Sequence, residues 1–408
     1  TKILTRGMVL EDLVVLAITM MTLGQIGFCL PQFLLRAFRI QAYLPLVVFF
    51  ASNGIIALGP LIFLLFPTWD RIYIAAIFPV WLLLAPSLWL YVEGLTSNIP
   101  WRIQPKHIVH LIPFMSGLIV AGVLSQLPLE VHRSIFHDSA DIESGFPLVV
   151  VVSMFLAMLL WAVQSGFYVI RIVIHLSKYR KQLKELFASN EHRELGWLSW
   201  VLMIIAGTWL FAFSSLVSTL VQENTLFGYS FGSTLLMVLV WTLAYWGLRQ
   251  KPGFEGRYTE SEIDLPSSSP VVSTEDKKYQ RSALGKEQAL RIANKINAAM
   301  ELEQLHLDPS LSLHKLAQHV AISPNYISQT LNETMETNFF DFVNKWRIET
   351  AKPKIIANDD TVLNIALEVG FNARSSFYKV FKKETGKTPT EFRKAYLANS
   401  SKKTTSSE

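Results

Sequence analysis

The sequence has almost none of the residues that build covalent or metal frameworks. Cys29 is the single cysteine in 408 residues, and it sits inside an apolar run. One thiol cannot make an intrachain disulfide or a thiolate metal site, so redox chemistry gives no clue to compartment. Charge is scarce too, at 17% of the chain, and it is nearly absent from long runs in the first 248 residues. Ion pumps need ionisable groups within their spans, so that class finds little support. No glycine-rich nucleotide loop, kinase or receiver pattern, or metalloprotease motif occurs. The chain is therefore read as no enzyme, with no catalytic residue, metal or cofactor expected. Residue 1 is a threonine, and no short apolar core with a cleavage site precedes the first apolar run, which is read as retained.

What the chain has instead is length without charge. A helix needs roughly 20 apolar residues to cross about 30 Å of hydrocarbon, because its backbone polar groups must all be satisfied internally. Seven stretches qualify, near Leu13–Leu35, Ala42–Phe66, Ile72–Leu95, Ile108–Leu127, Leu148–Ile174, Trp197–Val221 and Tyr229–Leu248. Lys and Arg in short connections stay on the cytoplasmic side. One set of connections carries Arg36, Arg39, Arg102, Lys106, Arg171, Lys178, Arg180, Lys181, Lys184, Arg193, Arg249, Lys251 and Arg257. The opposite set holds only Lys2, Arg6, Arg71 and Arg133 beside several acids. The expected topology puts the N-terminus outside and everything beyond Leu248 in the cytoplasm, in a multi-pass membrane protein.

After the apolar domain, 1–248, comes a Pro-, Gly- and Ser-rich stretch, 249–285, read as a flexible cytoplasmic linker. An apolar helical period returns at Ala289, Ile292, Ile296, Met300 and Leu305, marking entry into a soluble domain over 286–398, with 399–408 expected as a disordered tail. Two segments of that domain share one layout of short helix, tight turn and second helix. The first runs Leu313–Val320, turns through Ala321 to Ser323, and resumes at Pro324. Ser323 suits an N-cap and Pro324 the first helical position. The second runs Val362–Val369, turns at Gly370 in a left-handed conformation, and resumes after Asn372, which suits a cap. Ala317 and Ala366 allow the paired helices to cross closely, while Ile327, Leu331, Phe377 and Phe381 read as core.

The residues Ile365-Ala366, Gly370-Phe371-Asn372, Ser375, Phe377, Phe381-Lys382-Lys383, Thr385-Gly386, Thr388-Pro389 and Phe392-Arg393 carry a long signature. With Asn338–Asn344 and Arg347–Lys352 resembling a connecting helix, residues 286–398 resemble the DNA-binding domain of the AraC family. The fold class expected is thus all-α, a seven-transmembrane-helix bundle plus a soluble AraC-type double helix-turn-helix domain. Two departures stand out. Glu336 occupies a position where the family usually has Gly, and Pro353 falls inside the connecting helix, where it removes a hydrogen bond.

The resemblance implies that the second helix of each unit enters a major groove, with its exposed start reading bases. Those positions are Asn325, Ser328 and Gln329 in the first unit, and Arg374, Ser375, Tyr378 and Lys379 in the second. Arg374 suits a bidentate contact to guanine, and Asn325 or Gln329 one to adenine. Lys382, Lys383, Lys387, Arg393 and Lys394 suit phosphates. From Thr361 to Lys403 nine basic residues face Glu368, Glu384 and Glu391, whereas 286–360 is slightly acidic. Affinity is therefore expected to lean on the second unit.

In the apolar half, Gln25, Asn53 and Gln164 are mid-span amides, for which interhelical hydrogen bonding is the plain reading. Glu93 and His110 are candidates for a coupling pair near the cytoplasmic face. Pro31, Pro45, Pro60, Pro79, Pro86 and Pro113 can loosen helices and open space for an apolar or amphipathic small-molecule signal. The outer loop Pro128–Pro147, with His132, His137, Asp138, Asp141 and Glu143, reads as a solvated acidic loop rather than a metal site. The resemblance implies a bacterial source, and the resulting expectation is a one-component regulator embedded in the inner (cytoplasmic) membrane that binds double-stranded promoter DNA. Its other partners would be the lipid bilayer, a second copy in a homodimer, and RNA polymerase if it activates. Alternatives are a transporter-like bundle with an auto-regulatory tail, or a membrane-anchored adaptor whose tail binds protein.

Overall fold

The computed structural model describes residues 2–97, 100–136, 145–189, 195–221, 229–250, 285–358 and 360–404. Among them the chain is helical, with no strand beyond one antiparallel bridge between Phe187 and Ser312. It divides into two compact units. The first comprises Thr1–Leu176 and Leu195–Asp264, the second Ser177–Glu194 and Leu265–Glu408.

The first unit contains α1 (Lys2–Arg39), α2 (Leu44–Ala57), α3 (Gly59–Leu65), α4 (Asp70–Leu95), α5 (Ile112–Ser125), α6 (Leu129–Phe136), most of α7 (Phe146–Leu186), α8 (Trp197–Val221) and α9 (Tyr229–Arg249). Six described segments are long and apolar enough to cross a membrane, at Glu11–Arg39, Gln41–Leu65, Asp70–Leu95, Pro105–Ser125, Phe146–Leu186 and Ser230–Arg249. The remaining expected span is α8, whose described apolar part, Trp197–Phe211, is shorter. Helix α4 packs on α2 and α5, and α1 packs on α2 and α9. Apolar side chains such as Phe38, Ile119 and Val163 point outward, the arrangement a hydrocarbon solvent favours.

The prolines act in two ways. Pro31 lies inside α1, and Pro79 and Pro86 lie inside α4, whereas Pro45, Pro60 and Pro113 stand at the first turns of α2, α3 and α5. Pro60 thereby divides the second span into α2 and α3.

The second unit holds α10 (Lys286–Glu301), α11 (Leu313–Val320), α12 (Pro324–Gln329), α13 (Phe339–Ala357), α14 (Val362–Glu368), α15 (Arg374–Thr385) and α16 (Pro389–Thr404). Ala289, Ile292, Ile296 and Met300 line the buried face of α10 as their spacing predicts. The tail has two apolar cores. One gathers α10, α11, α12 and Phe339, Phe342 and Val343 of α13. The other gathers Ile348, Ala351 and Ile355 of the same helix with Ile365, Phe377 and Phe381. Helix α13 thus serves both cores with successive turns, and it continues through Pro353. Helix α16 extends to Thr404, past the expected domain end at 398. Most of the expected linker falls on 251–284, outside the described residues.

Candidate nucleic-acid interface

Two helix-turn-helix pairs form on closely similar backbones. Ser312 caps α11 by accepting from the Lys315 N–H at 3.2 Å, and Thr361 caps α14 by accepting from Asn364 at 3.2 Å. After each first helix the chain turns left-handed, at Ala321 and at Gly370. Ala317 and Ala366, 5% and 0% exposed, sit where the helices of each pair meet. Ile327, Leu331, Phe377 and Phe381 are all buried, as expected.

Two expected caps are not made. Ser323 stands at the N-cap of α12, yet only its backbone carbonyl is engaged, by Tyr326 and Ile327. Tyr326 carries one of the N–H groups a cap hydroxyl would serve, and it bonds the Ser323 carbonyl at 3.1 Å instead. Asn372 precedes the cap position, which is Ala373, and its amide lies 3.4 Å from the Pro309 carbonyl. The connection between α14 and α15 runs from Val369 to Ala373, five residues against the three expected, so α15 begins at Arg374. Glu336, at the family's usual Gly position, takes φ 50°; the backbone keeps the left-handed geometry without the glycine.

On α15, Arg374, Ser375 and Lys379 are exposed and Tyr378 is half-exposed. Arg374 donates to the Tyr378 hydroxyl at 3.0 Å, with its guanidinium 5.0 Å from the ring centroid. That contact spans one helical turn and orders a long side chain before any ligand arrives. On α12, Asn325 is exposed, while Ser328 and Gln329 are half-exposed. Gln329 donates to Glu333 at 2.8 Å, and Ser328 accepts from Asn332. Helix α12 is thus shorter than α15, neutral and engaged with its own turn.

The basic residues separate into two groups. Lys382, Lys387 and Lys394 are exposed. Lys383 pairs with Asp341 at 2.7 Å. Arg393 is instead turned inward, donating to the Ile355 carbonyl at 2.6 Å near the end of α13. In that position it supports a helix end.

A residue outside these candidates dominates the interior. Arg347 is fully buried between the two cores, with Nε on the His306 carbonyl at 2.7 Å and Nη2 on the Asp308 carbonyl at 2.8 Å. Its Nη1 reaches Asn344, the Ala188 carbonyl and the Ser189 hydroxyl at 3.4, 3.4 and 3.1 Å. His306, also buried, lies 3.0 Å from the Met300 carbonyl and 2.9 Å from Thr350 Oγ1. Burial holds its pKa below the ordinary 6.5. Burial pushes Asp308 upward, but hydrogen bonds from Ser310 and Lys315 outweigh it and keep this carboxyl below its usual value. A spacing-based reading had no signal for Arg347 beyond a cation inside an otherwise amphipathic helix.

The first unit places its candidates apart. Gln25 contacts Cys29 Sγ at 3.4 Å and Asn53 bonds the Phe49 carbonyl at 2.8 Å, both within their own helices. Gln164 alone of the three amides reaches another helix, at the Leu82 carbonyl, 3.1 Å. Glu93 faces His107 at 3.9 Å, a weak ion-pair distance, while His110 pairs with Tyr168 at 2.5 Å. Glu93 and His110 both lie beside His107, whose ring stacks on that of His110 with centroids 6.4 Å apart. His132 is buried, and 137–144 of the outer loop lie outside the described residues; among the described residues no metal-ligating cluster forms. A cavity of about 350 Å³ opens beside the Pro60 break, walled by Trp81, Trp161 and Phe211, with Thr19, Thr22 and Thr208 among its lining. Thr22 and Thr208 donate to carbonyls of their own helices.

Residues 316–395 match a family described as a helix-turn-helix domain. An uncharacterized HTH-type transcriptional regulator of Staphylococcus aureus (strain COL) is 35% identical over 100 residues, which are 24% of this chain and 13% of that protein. Another from Escherichia coli (strain K12), YijO, is 30% identical over 132 residues, 31% of this chain and 46% of its own. A solved protein of unknown function from Listeria innocua aligns with 24% of this chain and 93% of its own, at 29% identity and TM-score 0.22. The chain therefore carries an AraC-type helix-turn-helix domain at its C-terminal end, while the matches span less than half the length of these two transcriptional regulators.

Proposed function

We propose that the protein is a membrane-embedded, one-component transcription regulator that binds promoter DNA in response to a signal received by its apolar helices. The observation that carries this reading is the exposed, pre-ordered Arg374–Tyr378 pair at the start of α15, on a helix-turn-helix domain joined in one chain to helices of membrane-spanning length. Arginine at such a position suits guanine, and Lys382, Lys387 and Lys394 suit phosphates. The lopsided distribution of Lys and Arg supports a cytoplasmic tail and an outside N-terminus. The aromatic cavity beside Pro60 has no ionisable residue in its lining, so a neutral apolar or amphipathic molecule is the signal class it fits.

Genome-wide crosslinked-DNA mapping of the full chain in membranes tests this, with Arg374→Ala as the control. Discrete sites that vanish in the variant support the regulator. Absence of enrichment in both chains across growth conditions counts against it, and transport assays and a search for protein partners would follow.

A further inference from the structure

One helix contributes to both compact units. Helix α7 begins at Phe146, and from Ser177 onward its residues belong with the DNA-binding domain. Its 41 residues extend about 60 Å, roughly twice the hydrocarbon thickness. The excess turns carry Lys178, Arg180, Lys181 and Lys184 and are too polar to remain in lipid.

The last residue of the helix and the short segment after it are built into the second unit. Leu186 packs on the first core and Ala188 lies within it, 1% exposed. The Ala188 N–H donates to the Leu311 carbonyl at 3.2 Å, and Phe187 pairs with Ser312, the cap residue of α11. From the connecting helix, Asn344 donates to the Ala188 carbonyl at 3.2 Å, and Arg347 Nη1 bonds the Ser189 hydroxyl at 3.1 Å. A third contact is a cleft of about 170 Å³, where Lys184 and Ser189 face Ser376, Lys379 and Lys383 of α15. The segment therefore touches the first helix-turn-helix, the connecting helix and the flank of the second reading helix.

We propose that residues 177–189 form a coupling strut, whose docking on Leu311, Ser312, Asn344 and Arg347 fixes the two helix-turn-helix units relative to each other and carries motion of the fifth span to the DNA-binding surface. This rests on the regulator reading and supplies its transmission element. The docked state is the DNA-competent one. Arg374 and Ser375 remain exposed with the strut in place, and Lys184 adds positive charge beside Lys379 and Lys383, where phosphates favour it. A signal that withdraws the strut removes partners from a buried guanidinium and frees the angle between the units.

The test uses the full chain in membrane vesicles, in a Cys29→Ser background. Phe187→Cys with Ser312→Cys places two thiols on facing residues of the bridge. Mild oxidant should cross-link this pair at least about tenfold faster than Phe187→Cys with Lys387→Cys, a ratio that requires a docked segment. The cross-linked protein should hold its mapped operator within about twofold of the parent, whereas Ala188→Asp should weaken binding about tenfold or more. Ser189→Ala, which leaves the core intact, should weaken it about two- to threefold. Slow cross-linking, tighter binding by Ala188→Asp, or unchanged binding in both strut variants would overturn the proposal. A parent chain that binds no duplex would sink the regulator reading and the DNA half of this one, while fast cross-linking in the same vesicles would still uphold the docking.

Discussion

In the first helix-turn-helix unit the chain turns through Ala321 at φ 51°, and in the second it turns through Gly370 at φ 92°. The same bond closes both turns, from Ile322 to the Ala317 carbonyl at 3.0 Å and from Phe371 to the Ala366 carbonyl at 2.9 Å. Ala321 is exposed, so its side chain costs only the backbone strain of a left-handed alanine, about 1–2 kcal/mol. Gly370 has no such freedom, because a Cβ there would lie 2.8 Å from the carbonyl oxygens of both His306 and Leu307. One turn is at the surface and the other is wedged against the Arg347 junction. The difference shows where the domain is most tightly packed: around the second turn and its seam with the Arg347 junction.

The strongest way to break this comparison is to exchange the turn residues. Gly370→Ala combines left-handed strain with an overpacked contact and should destabilise the tail by about 3 kcal/mol or more. Ala321→Gly should stay within about 1 kcal/mol of the parent, on the stabilising side, since relief of strain is partly offset by glycine's unfolded-state entropy. Hydrogen exchange across 339–381 of the full chain reads both. Similar losses in the two variants would show that the turns are equivalent after all.

A second contrast concerns affinity. Arg374→Ala should weaken operator binding by about 1–3 kcal/mol, roughly 5- to 150-fold, and relax preference at one base pair. Gln329→Ala should cost less, because Gln329 must first leave Glu333, its 2.8 Å partner. Lys382→Ala should weaken binding to all sequences alike and lower the salt slope by about 1. If Gln329→Ala proves the costlier change, reading is led by the first unit and the charge argument fails.

Much of this could be read without coordinates, and the reasons are local. Apolar runs long enough to span, the 3.6-residue period at Ala289, Ile292 and Ile296, and the glycine turn at Gly370 are short-range patterns. The core positions Ile327 and Phe377 follow from the same periods. Long-range pairings left no such trace. Nothing near Arg347 in sequence announces that its partners include residues about 160 positions earlier. The basic residues from Lys178 to Lys184 are equally compatible with a plain charged connection, so nothing in their pattern points to the pairing of Phe187 with Ser312. Side-chain caps are less legible: Ser323 and Asn372 are good cap residues, but the Ser323 carbonyl takes the Tyr326 N–H and the second turn runs on through Ala373.

The smallest expected effect separates the two cores by pH. His306 sits in the first core's boundary, bonded to the Met300 carbonyl and Thr350, with the Arg347 cation adding to the burial that lowers its pKa. The folded state therefore favours the neutral ring, whereas the unfolded chain takes up a proton near the ordinary 6.5. Above that pH both states are neutral and the group contributes nothing to the dependence. As pH falls below about 6.5 only the unfolded chain gains the proton, so stability declines, with a ceiling of about 1.4 kcal/mol per pH unit for one proton. Asp308 does not blur this window, because its folded carboxyl is held below its usual 3.8 and its contribution is lost only in stronger acid. Urea unfolding of the tail between pH 7 and 5 should show the slope in the parent and its loss in His306→Gln. Equal slopes in the two proteins would place the titrating group elsewhere and remove His306 from the junction's energetics.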